Sequence, residues 1–203
     1  MRQTDAMADP TEVAVKGSVV RAIVTLLTEH GLQDEMIRQV SPRAAALIVE
    51  PPLPTMWVDA RDSNDIYQAL HDLVGPERLR RLNHDAIERG VSPLLKAAAE
   101  GVLRIFGASP GALLSKLDRV GGSTARGVVY HYVEIDAHSG HFDIEYPALR
   151  DVPVGPFVAT GGALELVFDM CRVRGMFGEP VFVPNGRNNR MRFLVSWREI
   201  TRR

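Results

Sequence analysis

Hydrophobic positions in this chain change their period near residue 125. Upstream, apolar residues recur at helical spacing. Val15, Val19, Val20, Ile23, Val24, Leu26 and Leu27 mark one face of a helix that Gly31 closes. Leu32 to Val40 reads as a second short helix, and Ser41-Pro42 opens a third over Arg43 to Val49. Pro51, Pro52 and Pro54 then break the chain, leaving Thr55 to Val58 extended or irregular. Ser63 or Asn64 is placed to cap a helix from Asp65 to Val74. Gly75-Pro76 ends that helix and starts Glu77 to Arg89, which carries Leu79, Leu82, Ala86 and Ile87. Ser92-Pro93 and Ser109-Pro110 repeat the same start signal, predicting helices over Leu94 to Phe106 and Leu113 to Val120.

Downstream the pattern becomes two-fold. In 126–135, Val128, Tyr130 and Tyr132 fall on one face of a strand and Val129, His131, Val133 and Ile135 on the other. Asp136 to Gly140 is turn chemistry. The chain returns with Phe142, Ile144 and Tyr146 alternating with His141, Asp143 and Glu145, one face apolar and one wet, the signature of an antiparallel hairpin. Residues 161–175 revert to helical spacing through Ala163, Leu164, Val167, Phe168 and Cys171, with Gly175 as the expected cap. Pro180 to Val183 and Met191 to Trp197 form a second hairpin around Asn185-Gly186. Met191, Phe193, Val195 and Trp197 share one of its faces. The resulting expectation is an α+β fold: a helical part over 15–122, then a ββαββ unit over 125–199 whose four-stranded antiparallel sheet packs on helices. The two parts form a single domain over 15–203, after a flexible N-terminus over 1–14.

Composition narrows the function classes. The 203 residues are 45% hydrophobic, ample for a core, and carry a net charge of −1, which points to neither nucleic acid nor acidic substrates. Arg greatly outnumbers Lys, a bias expected of a GC-rich genome. The single cysteine, Cys171, forms no internal disulfide and suits a reducing cytoplasm. No apolar run is long enough to predict a membrane span, and Met1 to Thr11 lacks the hydrophobic segment of a secretion signal.

Candidate chemistry is sparse. His131, His138 and His141 lie near Asp136 and Asp143, but the hairpin holds them apart, and zinc needs about four convergent ligands; no metal site is expected. An enzyme built on His131 or His141 with a nearby acid requires those side chains to meet in a cleft. Cys171 has no adjacent base and lies on an apolar stripe, which marks an inert core thiol. His30, His71 and His84 each stand alone on a helix. Gly161-Gly162 lacks the pattern of a phosphate loop, and no Gly-x-Ser-x-Gly elbow is present. Arg187, Arg190, Arg192, Arg198, Arg202 and Arg203 make a basic edge, read either as a solvated edge strand or as an anion or acidic-partner patch. The aromatic residues of the ββαββ part are the best candidate site. Tyr130, Tyr132, Phe142, Tyr146, Phe168 and Trp197, with Cys171, form either a filled core or an apolar pocket with phenolic anchors.

Three stretches carry a resemblance: Val15-Lys16-Gly17-Ser18-Val19-Val20-Arg21, the helix running from Leu94-Leu95-Lys96 to Arg104-Ile105-Phe106, and Phe193-Leu194-Val195-Ser196-Trp197. Together they resemble a myxobacterial family of uncharacterised proteins of this length. That family is in turn similar to the superfamily of haem–NO-binding, vinyl-reductase-like and Golgi-tethering domains. The resemblance implies N-terminal helices followed by an antiparallel sheet, and a ligand-binding or interaction module, often dimeric. The chain has no Tyr-x-Ser-x-Arg motif for haem propionates and no cysteine cluster, so no cofactor is expected. The leading expectation is a non-catalytic cytoplasmic sensory or regulatory module that binds a small apolar ligand between helices and sheet. The alternative is a homodimeric interaction or scaffold module working through exposed helix faces such as Leu79, Leu82 and Ile87, or through the arginine edge. Neither nucleic acid nor membrane is an expected partner.

Overall fold

The structure, a computed structural model, describes residues 13–90, 109–117, 121–147, 152–185 and 188–200. The helix expected over Leu94 to Phe106, together with Arg187, Arg202 and Arg203, lies outside them.

The first half is helical. Helix α1 (Gly17–Glu29) buries Val20, Ile23, Val24, Leu26 and Leu27, as its spacing predicts. Helices α2 (Gln33–Gln39) and α3 (Pro42–Val49) follow, and the Ser41 side chain accepts the Ala44 N–H at the start of α3. Helix α4 (Ala60–Val74) starts earlier than expected, because Asp59 rather than Ser63 caps it, accepting the Arg61 N–H at 2.9 Å. Ser63 is instead buried within the helix. Helix α5 spans Pro76–Gly90. The Ser109-Pro110 start opens a short helix, α6 (Pro110–Leu114), several residues before the expected one.

Three short strands were not legible in the pattern. β1 (Ala14–Lys16) pairs on one side with β2 (Trp57–Asp59) and on the other with β3 (Ala125–Arg126). Val13 is buried and Ala14 is already paired. Gly127, with φ +73°, turns the chain out of β3, so the strand expected over 126–135 is split. Its main part is β4 (Val129–Asp136), which pairs with β5 (Ser139–Pro147). Asp136 holds the turn by accepting from the His138 N–H and the Ser139 hydroxyl.

Helix α7 (Val154–Cys171) begins earlier than the apolar stripe suggests and ends at Arg172, which adopts the left-handed conformation. Gly175 is not its cap. It lies in β6 (Val173–Phe177), where a Cβ would come within 2.4 Å of the Phe168 ring. β7 (Val181–Asn185) and β8 (Asn188–Glu199) complete a five-stranded antiparallel sheet. Its order is β4-β5-β8-β6, with β7 pairing the other half of the β8 edge. The α+β class and antiparallel sheet are as expected, with a fifth strand made from residues read as the helix end.

Two apolar clusters form the interior. One joins α1 to α5; the other joins the sheet to α6 and α7. Helix α7 belongs to both, giving Val158 and Ala159 to the first and Phe157, Val167, Phe168 and Cys171 to the second. A helix apolar on nearly every side requires such double burial. At 18 residues α7 is long and apolar enough to cross a bilayer by length and composition, but half of it is buried inside this fold.

Helices α5 and α7 meet closely at Gly162. A Cβ there would lie 2.3 Å from the Arg80 carbonyl oxygen. Around this crossing sits a buried polar cluster. Arg80, 7% exposed, donates to the Phe177 and Gly178 carbonyls at 2.6 and 3.0 Å and to Glu165 at 3.2 Å. Asn83 donates to the Ala159 carbonyl at 2.6 Å. Gln68 on α4 accepts the Gly155 N–H at the start of α7.

Candidate functional site

A cleft of about 120 Å³ opens where the small sheet, α4, α7 and the β4–β5 hairpin converge. Its walls are mainly apolar: Val13 and Val15 from the N-terminal strand region, Val128 and Ile144 from the hairpin side, and Phe157 from α7. Tyr130 and Tyr146 add two aromatic rings, while Asn64, Thr160 and Arg61 supply polar groups. Arg61 is held by Asp59, with N–O contact at 2.6 Å. Burial pushes the Tyr130 hydroxyl up to about 12, so it stays protonated and able to donate. The alternation of β4 and β5 creates the site, since it turns Tyr130, Ile144 and Tyr146 to the inner face.

Of the seven aromatic and thiol candidates, Tyr130 and Tyr146 line this cleft. Phe142, Phe168, Cys171 and Trp197 lie in the sheet core, where Phe177 and Phe193 pack edge-on or tilted against their neighbours. Tyr132 is half-buried beside that core. Its hydroxyl is enclosed with no hydrogen-bond partner among the described residues. Burial, then the charges of Glu134 and Asp136, push it up to about 12. The Cys171 thiol is pushed by burial up to about 11, consistent with a core residue.

The histidines of the hairpin do not converge. His131 stands opposite Asp143 and His141 opposite Val133, while His138 sits in the turn. His84 is not alone, contrary to expectation. It reaches from α5 to Asp169 on α7 at 2.8 Å. Its ring, with Asp85 and Glu88, makes a cation-compatible grouping whose ligand atoms lie within 4.8 Å of one another. The helix face of Leu79 and Leu82, expected to be open to a partner, is buried, and Ile87 is half-buried.

The arginine edge is partly committed. Arg192 holds Asp143 through two contacts at 2.7 and 2.8 Å, and Arg190 bonds Glu145. Asp143 is consequently 2% exposed, although it lies on the face expected to be wet. Sequence reasoning missed Arg80, Asn83, Gln68 and Glu165. Their one visible signal is the polar i, i+3 pair Arg80 and Asn83 directly beside Leu79 and Leu82 on α5.

No family model matches the sequence, and no curated protein matches it. Solved structures do match by shape. The Fe(II) unliganded H-NOX protein of K. algicida superposes with a TM-score of 0.61 at 12% identity, over 92% of this chain and 98% of that one. An oxygen-binding H-NOX domain related to soluble guanylate cyclases gives 0.59 at 12%, over 93% and 97%. A protein from work on haem redox potential and porphyrin distortion gives 0.52 at 12%, over 89% and 99%. The chain thus has a haem–NO-binding-like fold. This cleft does not fit haem: it is well below the ~300–1,000 Å³ of drug-sized pockets, and among its lining residues Tyr130 and Tyr146 alone are of types that ligate haem iron.

Proposed function

We propose that this protein is a non-catalytic sensory or regulatory module that takes a small apolar molecule into the cleft between its helical half and its sheet. The cleft carries the proposal: apolar walls, three aromatic rings and a few polar groups make the usual composition of a ligand site. A dry engineered cavity of about 150 Å³ takes up benzene or xenon, so a space of 120 Å³ suits a molecule of that size. The oxygen-binding neighbour of similar fold supports a small ligand. The helical half and the sheet act as one unit in this reading, because α7 supplies both cores. Its one buried thiol suits the cytoplasm.

The test is a titration of the intact protein with benzene, indole and xenon, followed by the NMR signals of Val128, Ile144, Tyr130 and Tyr146. At least one probe is expected to give saturable shifts at these positions. Ala125→Phe, which fills the cleft from β3, is expected to abolish them while leaving the fold intact. No saturable shift with any probe, or shifts that survive in Ala125→Phe, would overturn the proposal.

A further inference from the structure

The sheet has a second face, turned away from α7. Along β8 this face carries Arg190, Arg192, Leu194, Ser196 and Arg198, because Met191, Phe193, Val195 and Trp197 point inward. Register places Val133 and His141 in the same row as Leu194, and Met176 opposite Ser196. Val133, Leu194 and Met176 are each more than half exposed, at 55%, 55% and 58%. Val133 and Leu194 flank His141 in one row and Met176 lies diagonal to Leu194, so three exposed apolar side chains cross the solvent side of the sheet, an unusual feature for an antiparallel sheet.

Arginines flank this stripe on both sides. On one side Arg190 and Arg192 neutralise Asp143 and Glu145. On the other, Arg174 and Arg198 stand directly opposite each other on β6 and β8, both exposed, with no carboxylate partner among the described residues. Like charges at opposed positions destabilise a sheet, so the pair costs the free protein stability that an anionic partner would restore. On the described part of this face, four arginines meet two carboxylates, although the whole chain carries a net charge of −1. The positive charge is therefore local. It also disfavours a second copy placed face to face, since Arg174 and Arg198 would meet their own equivalents.

We propose that this outer sheet face docks an acidic amphipathic segment of a partner protein, whose apolar ridge lies on Val133, Leu194 and Met176 and whose carboxylates engage Arg174 and Arg198. The face is distinct from the ligand cleft but shares its strands. In β5, Ile144 and Tyr146 line the cleft while Asp143 and Glu145 hold the arginines of the outer face. The docking proposal does not depend on the cleft being occupied.

The probe is a synthetic amphipathic helix with leucines along one ridge and glutamates on both flanks, read by fluorescence anisotropy with the full-length protein. Its twin with lysine in place of glutamate serves as the control. The glutamate peptide is expected to bind and the lysine peptide not to. Arg174→Glu with Arg198→Glu is expected to weaken binding by about tenfold or more, and Arg38→Glu on the distant helix α2 to leave it unchanged. A similar melting temperature is expected for the double variant, since one opposed like-charged pair replaces another; Arg174→Gln with Arg198→Gln repeats the test if charge reversal disturbs the fold. Equal binding of both peptides, full affinity in the double variant, or no binding at millimolar peptide would overturn the proposal. So would a concentration-dependent dimer abolished by the same substitutions, or binding to phosphatidylglycerol vesicles with none to the peptide.

Discussion

The adjacent glycines of α7 offer a sharp stability test, because one methyl group placed at either should act with opposite sign. At Gly161 a Cβ would meet the Phe193 ring at 3.4 Å and the Arg80 guanidinium at 3.6 Å, ordinary contact distances. Gly161→Ala should therefore gain helix propensity, worth roughly 0.5–1 kcal/mol. At Gly162 the new Cβ would lie 2.3 Å from the Arg80 carbonyl oxygen and 2.8 Å from its Cα and carbonyl carbon. These atoms are backbone and cannot rotate away, so α5 and α7 must separate. Overpacking of this kind costs about 1–3 kcal/mol. The separation also stretches the Asn83 bond to the Ala159 carbonyl and the Arg80 bonds to Phe177 and Gly178, and a buried polar group left unpaired costs about 1–3 kcal/mol. Offset by the same propensity gain, Gly162→Ala should lose about 1–5 kcal/mol. In a chain of this length that lowers Tm by roughly 2–20 °C. Urea unfolding followed by circular dichroism measures both variants. Equal effects at the two positions, or a Gly162→Ala variant as stable as the parent, would refute the close-packed crossing.

Two further outcomes follow from titratable groups. His84 is pulled down by burial, but its hydrogen bonds to Asp169 and Asp85 outweigh this and hold it above the ordinary histidine value. Its folded state thus binds the proton more tightly than the unfolded chain, so its contribution is complete below the ordinary histidine value and fades as pH rises through the raised one. Urea midpoints should fall with pH across that window, and His84→Gln should flatten the profile; an unchanged profile would remove His84 from the α5–α7 contact. The Cys171 thiol, raised to about 11 by burial, should react with a disulfide reagent at pH 8 only as the protein unfolds, and prompt reaction of the native protein would contradict its placement in the core.

The sequence pattern carried some of this structure and hid the rest for identifiable reasons. Alternation on β4, β5 and β8 was readable because each strand is long and one face is consistently apolar. Gly175 was misread because a glycine after an apolar helix resembles a cap. What requires it is the Phe168 ring beneath, a tertiary contact invisible in local spacing. Ser63 looked like a helix start because hydroxyl residues favour caps, but Asp59 takes that role four positions earlier. Leu79 and Leu82 looked like an open helix face since nothing in their own segment announces α7, the helix that packs with α5. Asp143 looked solvated because its cover comes from Arg190 and Arg192, more than forty positions away. Tyr130 and Tyr146 were singled out with five other residues. Pattern gave their side of the sheet, but not that the small β1–β2–β3 sheet closes over these two.

That small sheet also sets an order of events in the making of the protein. β1 holds β2 on one edge, within the helical half, and β3 on the other, from residues that emerge only after the whole helical half has been synthesised. At roughly 5–20 residues per second, Ala14–Lys16 waits several seconds for Ala125–Arg126. During that interval the nascent helical half presents a short open strand edge, and α7, which supplies Val158 and Ala159 to its core, has yet to appear. The N-terminal helices are therefore made first but sealed late, and a chaperone that shields strand edges would act on this protein before Ala125–Arg126 emerges.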